Sequence, residues 1–132
     1  MRWLPRFYPQ LSLLGLLLHT KQLSKKILSL VGSNKYIERQ FLDGEVSLEL
    51  VPQGTLAERC RAETFGIPAF YTPTGHSTAI ETGNLPVRHE RMEEGKQTKI
   101  AEMTKLREVR DFNGHGYVLD AAIHADVTIV QV

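Results

Sequence analysis

The sequence predicts an α/β fold: an open, mostly parallel sheet with helices on both faces and a late antiparallel hairpin. Two observations predict it. Apolar runs of strand length alternate with segments of helical periodicity, which is the order typical of parallel strands joined by helices. Near the carboxyl end, Asn113-Gly114 lies between two apolar segments and favours a hairpin, with a loop longer than the two-residue ideal.

The predicted elements follow the chain from residue 11 to its end. Predicted helices cover residues 11–23, 36–43 and 55–66, and predicted strands cover residues 27–31, 45–51, 67–71, 106–112, 117–120 and 126–132. In the second strand, Val46, Leu48 and Leu50 alternate with polar residues, so we expect one buried and one exposed face. Asn34 is suited to cap the second helix, and Gly44 to end it in a left-handed conformation.

The remaining segments are expected to be caps and loops. Thr55 and Glu58 have the spacing of a capping box at the start of a helix. Residues 72–83 are rich in Thr, Gly and Pro and should form a loop. Residues 90–105 are strongly charged and should form a solvated, partly helical excursion. Because the last predicted strand reaches Val132 without a turn, we expect an incomplete domain.

Length and composition are those of one globular domain. The 132 residues are 42% hydrophobic and 23% charged, with a net charge of +1. So small a net charge does not steer a chain to nucleic acid or to a membrane surface, and we expect neither as a partner. The charge is uneven, because six basic residues and no acidic one precede Glu38.

The first 20 residues allow two interpretations. Arg2 and Arg6 precede an apolar run at residues 11–18, and this acid-poor start is compatible with import into an organelle. The run is too short to span a bilayer, and no small-residue cleavage pattern follows it, so secretion is not expected. The alternative is a buried core helix.

Few residues suit metal or nucleophilic chemistry. Cys60 is the single cysteine, so no internal disulfide is expected, which agrees with an intracellular setting; an inert helix position is predicted for it. The five histidines have no paired spacing and no cysteine partners, so no metal site is predicted. The sequence contains no Walker A loop, nucleophile elbow or dinucleotide-binding fingerprint.

Two long segments carry the most specific pattern in the chain. Glu49–Arg59 reads E-L-V-P-Q-G-T-L-A-E-R, and Gly66–Gly75 reads G-I-P-A-F-Y-T-P-T-G. Both resemble the first half, or A-type half, of the 3-oxoacid CoA-transferases. Shorter similar segments lie at residues 15–22, 38–45 and 107–114. Several long matches in one order are more specific than a single short motif.

The resemblance implies a domain organisation and an activity. Residues 1–14 should form a divergent amino-terminal segment, and residues 15–132 a partial domain like the A-type half of a CoA-transferase. The family moves coenzyme A between succinyl-CoA and a 3-oxoacid such as acetoacetate, through a glutamyl-CoA intermediate on a glutamate of the second half. That glutamate is absent from this chain, so we expect no activity from the chain alone.

The resemblance also implies partners, cofactors and location. The expected partners are a CoA-transferase B-type half, or a homologous subunit, and a small carboxylic acid substrate. Coenzyme A enters as a thioester substrate, and no permanently bound cofactor is expected. The location implied for a eukaryotic chain is the mitochondrial matrix, with the cytoplasm as the alternative.

The candidate substrate-binding residues are Gln53, Gly54, Tyr71, Thr74 and Gly75. The resemblance implies that the matching glutamine lines the active site and that the matching tyrosine lies near the substrate. Independently, an amide at a strand-to-helix turn is placed to bond a carboxylate, and a helix amino end favours negative charge. The structural alternatives are that Gln53 caps the turn, that Tyr71 is a core or interface aromatic, and that the glycines serve only turns.

The chain also departs from the family pattern. The family's first strand, its Gly-rich loop and an Asn-Asn pair are absent, and unrelated residues occupy their place. Residues 62–65 replace A-G-G-A with A-E-T-F, and we expect Phe65 to clash if close packing needs those glycines. His76-Ser77 replaces Tyr-Gly, and residues 88–105 match poorly.

Two other functions remain open. The first is a non-catalytic interaction protein or inactive fragment derived from the family, which the lost glycines and Asn pair favour. The second is a small α/β protein that binds sugar phosphates, which would need a phosphate-cradling loop that the sequence lacks.

Overall fold

The computed structural model describes residues 17, 19–32, 34–91 and 98–128. Its strands are β1 Lys25–Leu28, β2 Ser47–Leu50, β3 Ala69–Thr72, β4 Pro86–His89, β5 Ile100–Met103, β6 Val109–Phe112 and β7 His115–Ala121. Its helices are α1 Lys35–Leu42, α2 Gln53–Thr64 and α3 Ala79–Thr82. The predicted mixture of helices and strands is confirmed.

The predicted open, mostly parallel sheet is only partly right. In the described residues the strands form three separate sheets, and only β1 and β2 pair in parallel, around the crossover helix α1. The pairs β3–β7, β6–β7 and β4–β5 are antiparallel. A parallel pair needs a long crossover between its strands, and after α2 the chain pairs β3 with the distant β7 instead of continuing the β1–β2 sheet.

The two ends of α1, in the β1–α1–β2 unit, have the cap and the stop that the sequence predicts. The Asn34 side chain accepts hydrogen bonds from the backbone N–H groups of Tyr36 and Ile37, at 3.1 and 3.2 Å. Gly44 follows the helix with φ +71°, and a Cβ there would lie 2.6 Å from the carbonyl oxygen of Glu90. The cap and the left-handed stop are therefore both confirmed.

The core of this unit is small and apolar. Ile37, Val46 and Leu48 are buried, so two of the three predicted inward residues of β2 are confirmed. The third, Leu50, is 38% exposed because it lies at the end of β2, on the wall of an open hollow. Partly buried residues complete the cluster: Leu23, Leu28, Val31, Tyr36 and Phe41.

The predicted capping box at the start of α2 is wrong. The helix begins at Gln53, and Pro52 occupies the cap position without a side-chain hydrogen bond. Thr55 is therefore inside the first turn, where its hydroxyl is buried and has no protein partner. Glu58 instead pairs with Arg61, one turn further along the helix.

The clash at Phe65, expected if close packing or ligand approach needs the lost glycines, does not occur within the described residues. The helix ends at Thr64, and Phe65 is 68% exposed, so no close packing occurs on its ring. The guanidinium of Arg61 lies 5.4 Å from the ring centroid, a cation–π distance.

The late hairpin is confirmed, with a shorter loop than predicted. In the pairing of β6 with β7, the pair nearest the turn is Phe112 with His115. The loop is therefore the two residues Asn113 and Gly114. Both have positive φ, +56° and +82°, as the favoured two-residue hairpin turn requires. The Asp111 carboxylate accepts a hydrogen bond from the Gly114 N–H at 2.8 Å.

Several predicted segments lie wholly or partly outside the described residues. Of the helix predicted at residues 11–23, Leu17 and His19 are described and helical, and the chain turns at residues 20 and 21. Of the strand predicted at residues 126–132, the described part, residues 126–128, is not a strand.

The two segments predicted as irregular contain regular structure that the sequence analysis missed. Helix α3 lies within the predicted loop at residues 72–83. Strand β4, which precedes the predicted excursion at residues 90–105, pairs with β5 inside it. Residues 92–97 of that excursion lie outside the described residues.

Replacing Gly83 with alanine should destabilise the fold strongly. Gly83 has φ +74°, and an added Cβ would lie 2.7 Å from the carbonyl oxygen of Thr104 and 2.8 Å from the amide nitrogen of Leu106. Left-handed strain alone costs about 1–2 kcal/mol, and the backbone contact adds to it. We expect a loss of at least about 2 kcal/mol in the free energy of unfolding, measured by urea denaturation.

The matched control is Gly66→Ala. Gly66 has a similar φ of +67°, but its Cβ position faces open space. The control should therefore lose only the left-handed strain of about 1–2 kcal/mol, and less than Gly83→Ala loses. Equal losses in the two variants would show that the approach of Gly83 to the Thr104 backbone is unimportant.

Candidate functional site

The turn between β2 and α2 carries the first candidate residue. Gln53 is the first residue of α2 and is exposed. Its side-chain oxygen accepts a hydrogen bond from the hydroxyl of Ser29, at 3.4 Å. Ser29 directly follows β1, so the contact joins the carboxyl ends of the two parallel strands. Ligands of parallel α/β units bind at this edge.

Gly54 leaves the space beside Gln53 open. It is exposed in the first turn of α2, and a Cβ there would meet nothing within 4 Å. Gly54 therefore has helical backbone and does not serve a turn, since the chain turns earlier, at Pro52. The unpaired N–H groups of a helix amino end are good partners for an anion.

An open hollow of about 460 Å³ lies against this turn. Segments that are distant in sequence form its walls, chiefly the end of β2 and the loop before α3 with the first residues of that helix. The lining residues are Ser29, Leu50, Val51, Pro52, Gly75, Thr78, Ala79, Ile80 and Leu85. Of the five candidates only Gly75 lines the hollow, while Gln53 and Gly54 directly follow the lining residue Pro52 in the chain.

The loop that carries Thr74 and Gly75 is closely packed. The Thr74 N–H donates to the Thr72 hydroxyl at 3.2 Å, and the Thr78 hydroxyl donates to the Gly75 carbonyl at 2.7 Å. Gly75 has φ +92°, and a Cβ there would lie 3.1 Å from Ile80. Thr74 is exposed and is not among the residues that line the hollow.

A carboxylate at the start of α3 accepts two hydrogen bonds from the same loop. Glu81 accepts one from the Ser77 N–H at 2.6 Å and lies 2.7 Å from Nδ1 of His76. The Ser77 hydrogen bond, with that of His76, lowers the pKa of Glu81 despite the opposing effect of burial. Glu81 is therefore an anion at neutral pH.

Tyr71 has a separate set of contacts on the β3–β7–β6 sheet. Its hydroxyl bonds to Glu108, and its ring meets the Phe112 ring edge-on at 5.4 Å. The guanidinium of Arg110 lies 4.9 Å from the Tyr71 ring centroid. The hydrogen bond to the Glu108 carboxylate raises the pKa of Tyr71 and lowers that of Glu108. These three neighbours do not line the hollow beside Gln53.

The sequence analysis missed a buried ionic network beneath the site. Glu49 lies 2.6 Å from Lys25 and 2.7 Å from Arg59. Arg59 is 8% exposed and also donates to the carbonyl of Ala121 at 2.7 Å. Asp120 lies 3.9 Å from Arg59. The alternation of apolar and polar residues in β2 predicted only that Glu49 lies on the exposed face. The local sequence does not show that Arg59 of the next helix covers it.

The charge of Glu49 depends on this network. Burial alone would raise its pKa, but the hydrogen bonds from Lys25 and Arg59 outweigh burial, so the pKa lies below its ordinary value. Glu49 is therefore ionised at neutral pH and balances the buried guanidinium of Arg59.

Three further observations concern metal binding, membrane crossing and the cysteine of the described residues. Within them, no group of three or more His, Cys, Asp or Glu side chains could hold a metal ion. In the same part of the chain, no helix has both the length and the apolar composition needed to cross a membrane. Cys60 lies exposed on α2.

Comparison with known proteins identifies the family. The sequence profile of the family described as Coenzyme A transferase matches residues 11–132. This chain belongs to the coenzyme A transferase family. The match includes both segments that meet at the hollow, the turn at Gln53 and the loop at Gly75.

Individual family members are similar over most of this chain. It is 48% identical over 118 residues to human succinyl-CoA:3-ketoacid coenzyme A transferase 2, mitochondrial. It is 46% identical to the A-type subunit of the probable succinyl-CoA:3-ketoacid coenzyme A transferase of Mycobacterium bovis, and 45% identical to the A-type subunit of the Xanthomonas campestris pv. campestris enzyme. These matches cover 89% of this chain but 22%, 46% and 39% of the relatives.

Replacing Glu49 with glutamine should destabilise the chain in a pH-dependent way. The variant removes the nearer of the two carboxylates that face the buried Arg59 and leaves only Asp120, at 3.9 Å, so we expect a loss of about 2–3 kcal/mol at pH 7. Because the folded-state pKa of Glu49 lies below the ordinary 4.5, its stabilisation is present above pH 4.5 and is lost as the pH falls through the folded-state value. The difference between the two proteins should therefore shrink in acid, measured by urea denaturation from pH 7 to pH 3.

The control is Glu58→Gln, which removes an exposed pair with Arg61. Because solvent screens an exposed ion pair, this variant should lose much less stability than Glu49→Gln. A constant difference between Glu49→Gln and the unmodified chain at all pH values would contradict the ionic role of Glu49.

Proposed function

We propose that this chain acts as part of the A-type half of a CoA-transferase that moves coenzyme A between succinyl-CoA and a 3-oxoacid such as acetoacetate. One observation carries the proposal. The two most family-like segments, which are separate in sequence, border one hollow at the carboxyl edge of the parallel strand pair. That edge is where an α/β unit binds its ligand.

The role of this chain is to hold the acid. The oxygen of the Gln53 amide accepts from Ser29, so its NH2 group is the donor for a substrate carboxylate. The amino end of α2 favours the negative charge of that carboxylate. Gly54 adds no side chain that would block the approach. Gly75 would contribute backbone from the hollow, while Thr74 and Tyr71, which do not line it, would act only from the adjoining loop and strand.

The covalent chemistry would occur on a partner. A glutamate of a B-type half would attack the succinyl-CoA thioester, form a mixed anhydride and release coenzyme A as its thiolate. The thiolate would then attack the glutamyl carbonyl of the anhydride, which releases succinate and leaves a glutamyl-CoA thioester. The acceptor acid would repeat the two steps in reverse and leave as its CoA thioester, which frees the glutamate. Splitting the transfer in this way replaces one difficult step with easier ones. The chain therefore needs no permanent cofactor, takes the CoA thioester as substrate and is inactive alone. By analogy with its mitochondrial relatives, we place it in the mitochondrial matrix.

Mixing the chain with a B-type half tests the proposal. The B-type half of a bacterial relative is purified separately, and circular dichroism establishes that both proteins are folded. We expect transfer of coenzyme A from succinyl-CoA to acetoacetate in the mixture and none from either protein alone. A folded mixture without turnover would overturn the catalytic role.

Removing the Gln53 amide should weaken acid binding in the active mixture. A hydrogen bond to a charged group contributes about 1.5–3 kcal/mol, so Gln53→Ala should raise the KM for acetoacetate by about 10- to 100-fold. The matched control is Gln22→Ala, an exposed glutamine remote in sequence from the turn, which should leave the KM unchanged. An equal change of the KM in the two variants would contradict the role of Gln53 in acid binding.

A second function is supported by the exposed apolar surface of the described residues. Leu30 and Leu106 are 78% and 77% exposed, and a partner that covers them would gain apolar burial. A non-catalytic interaction protein derived from the family would use this surface without turnover. Co-purification with a B-type half in an inactive, folded complex would support this function over the first.

A further inference from the structure

A single carboxylate organises the loop that forms one wall of the hollow. The Glu81 side chain accepts the Ser77 N–H at 2.6 Å and meets Nδ1 of His76 at 2.7 Å. It is 20% exposed, so both bonds are partly shielded from water. The backbone of Glu81 is fixed too, because its carbonyl accepts the Arg107 N–H at 3.0 Å.

Glu81 holds a conformation that the loop would otherwise avoid. Ser77 has φ +57°, a left-handed backbone angle that is unfavourable for any residue with a Cβ. The charge-assisted hydrogen bond from the Ser77 N–H to Glu81 offsets that strain.

The same loop sets the shape of the hollow. Gly75 lies two residues before Ser77, and Ile80 follows it in α3; both line the hollow. Their packing is tight, since a Cβ on Gly75 would lie 3.1 Å from Ile80. The ring of His76 packs directly against Gly116 of β7, and a Cβ added to Gly116 would overlap Nε2 of His76. Releasing the Ser77–Glu81 bond would therefore displace both Gly75 and Ile80.

We propose that Glu81 is a positioning residue for the acid site, whose carboxylate holds the loop at residues 73–78 so that Gly75 and Ile80 keep their places in the hollow, which the end of β2 and Pro52 also line. This inference rests on the proposed function. Glu81 acts through Ser77 and His76 and does not itself touch the acid. Its loss should affect binding of the acid more than the covalent steps on the partner.

The test uses the active mixture of this chain with a B-type half. Glu81→Gln keeps the size of the side chain but removes its charge, and it should raise the KM for acetoacetate by about five- to tenfold with kcat unchanged. The matched control is Glu63→Gln. Glu63 makes the same kind of contact, 2.6 Å from Nδ1 of His124, with residues that do not line the hollow. This control should leave both constants unchanged.

A second variant separates positioning from a general loss of structure. Glycine at residue 77 adopts the left-handed angle without help, so adding Ser77→Gly to Glu81→Gln should return the KM to within about threefold of the unmodified chain. The amide proton of Ser77, observed by NMR, should move upfield in Glu81→Gln because the carboxylate acceptor is gone.

The outcomes separate the two proposals. Turnover with an unchanged KM in Glu81→Gln overturns the positioning role and leaves the proposed function standing. A fall in kcat without a change in KM, or no recovery with Ser77→Gly, also overturns it. Absence of turnover by the unmodified chain overturns the proposed function, and the role of Glu81 in acid binding falls with it.

Discussion

The buried guanidinium of Arg59 constrains the rest of the structure. A buried charge must be paired and hydrogen-bonded, and Arg59 meets this need with Glu49 of β2 and the carbonyl of Ala121 in β7. Lys25 of β1 completes the set through Glu49. One side chain of α2 is thereby tied to both the parallel strand pair and the antiparallel sheet, and this link fixes where the amino end of α2 lies.

The candidate site follows from that placement. With α2 held against β2, Gln53 stands at the carboxyl edge of the parallel pair, next to Ser29. The opposite wall is a loop whose shape depends on the hydrogen bonds made by Glu81. Different interactions stabilise the two walls. The buried ion pair of Glu49 with Arg59 supports the β2–α2 side, and the partly exposed carboxylate of Glu81 supports the loop. Changes in the loop can therefore alter the hollow while the β2–α2 turn stays in place.

Sequence reasoning succeeded where the deciding interaction is short in range. The cap at Asn34, the stop at Gly44 and the turn at Asn113-Gly114 each depend on a few neighbouring residues. It failed over strand pairing, which depends on residues far away in the chain, because β3 pairs with β7 and does not extend the β1–β2 sheet. One local prediction also failed: the capping box at Thr55 was wrong because Pro52 takes the cap position and the helix begins at Gln53.

The sequence by itself determined the family, the alternation of helices and strands, and the choice of Gln53 and Gly75, because long motifs and local periodicity are properties of contiguous residues. Only the tertiary structure decided that most strand pairs are antiparallel, that Gly75 faces the turn at Gln53, and that Tyr71 packs with Phe112 elsewhere. The same holds for Glu49 and Arg59, whose charges are stabilised by contacts across four elements, β1, β2, α2 and β7. Strand pairing and charge burial are set by contacts between distant segments, and their free energy depends on geometry that local sequence does not encode.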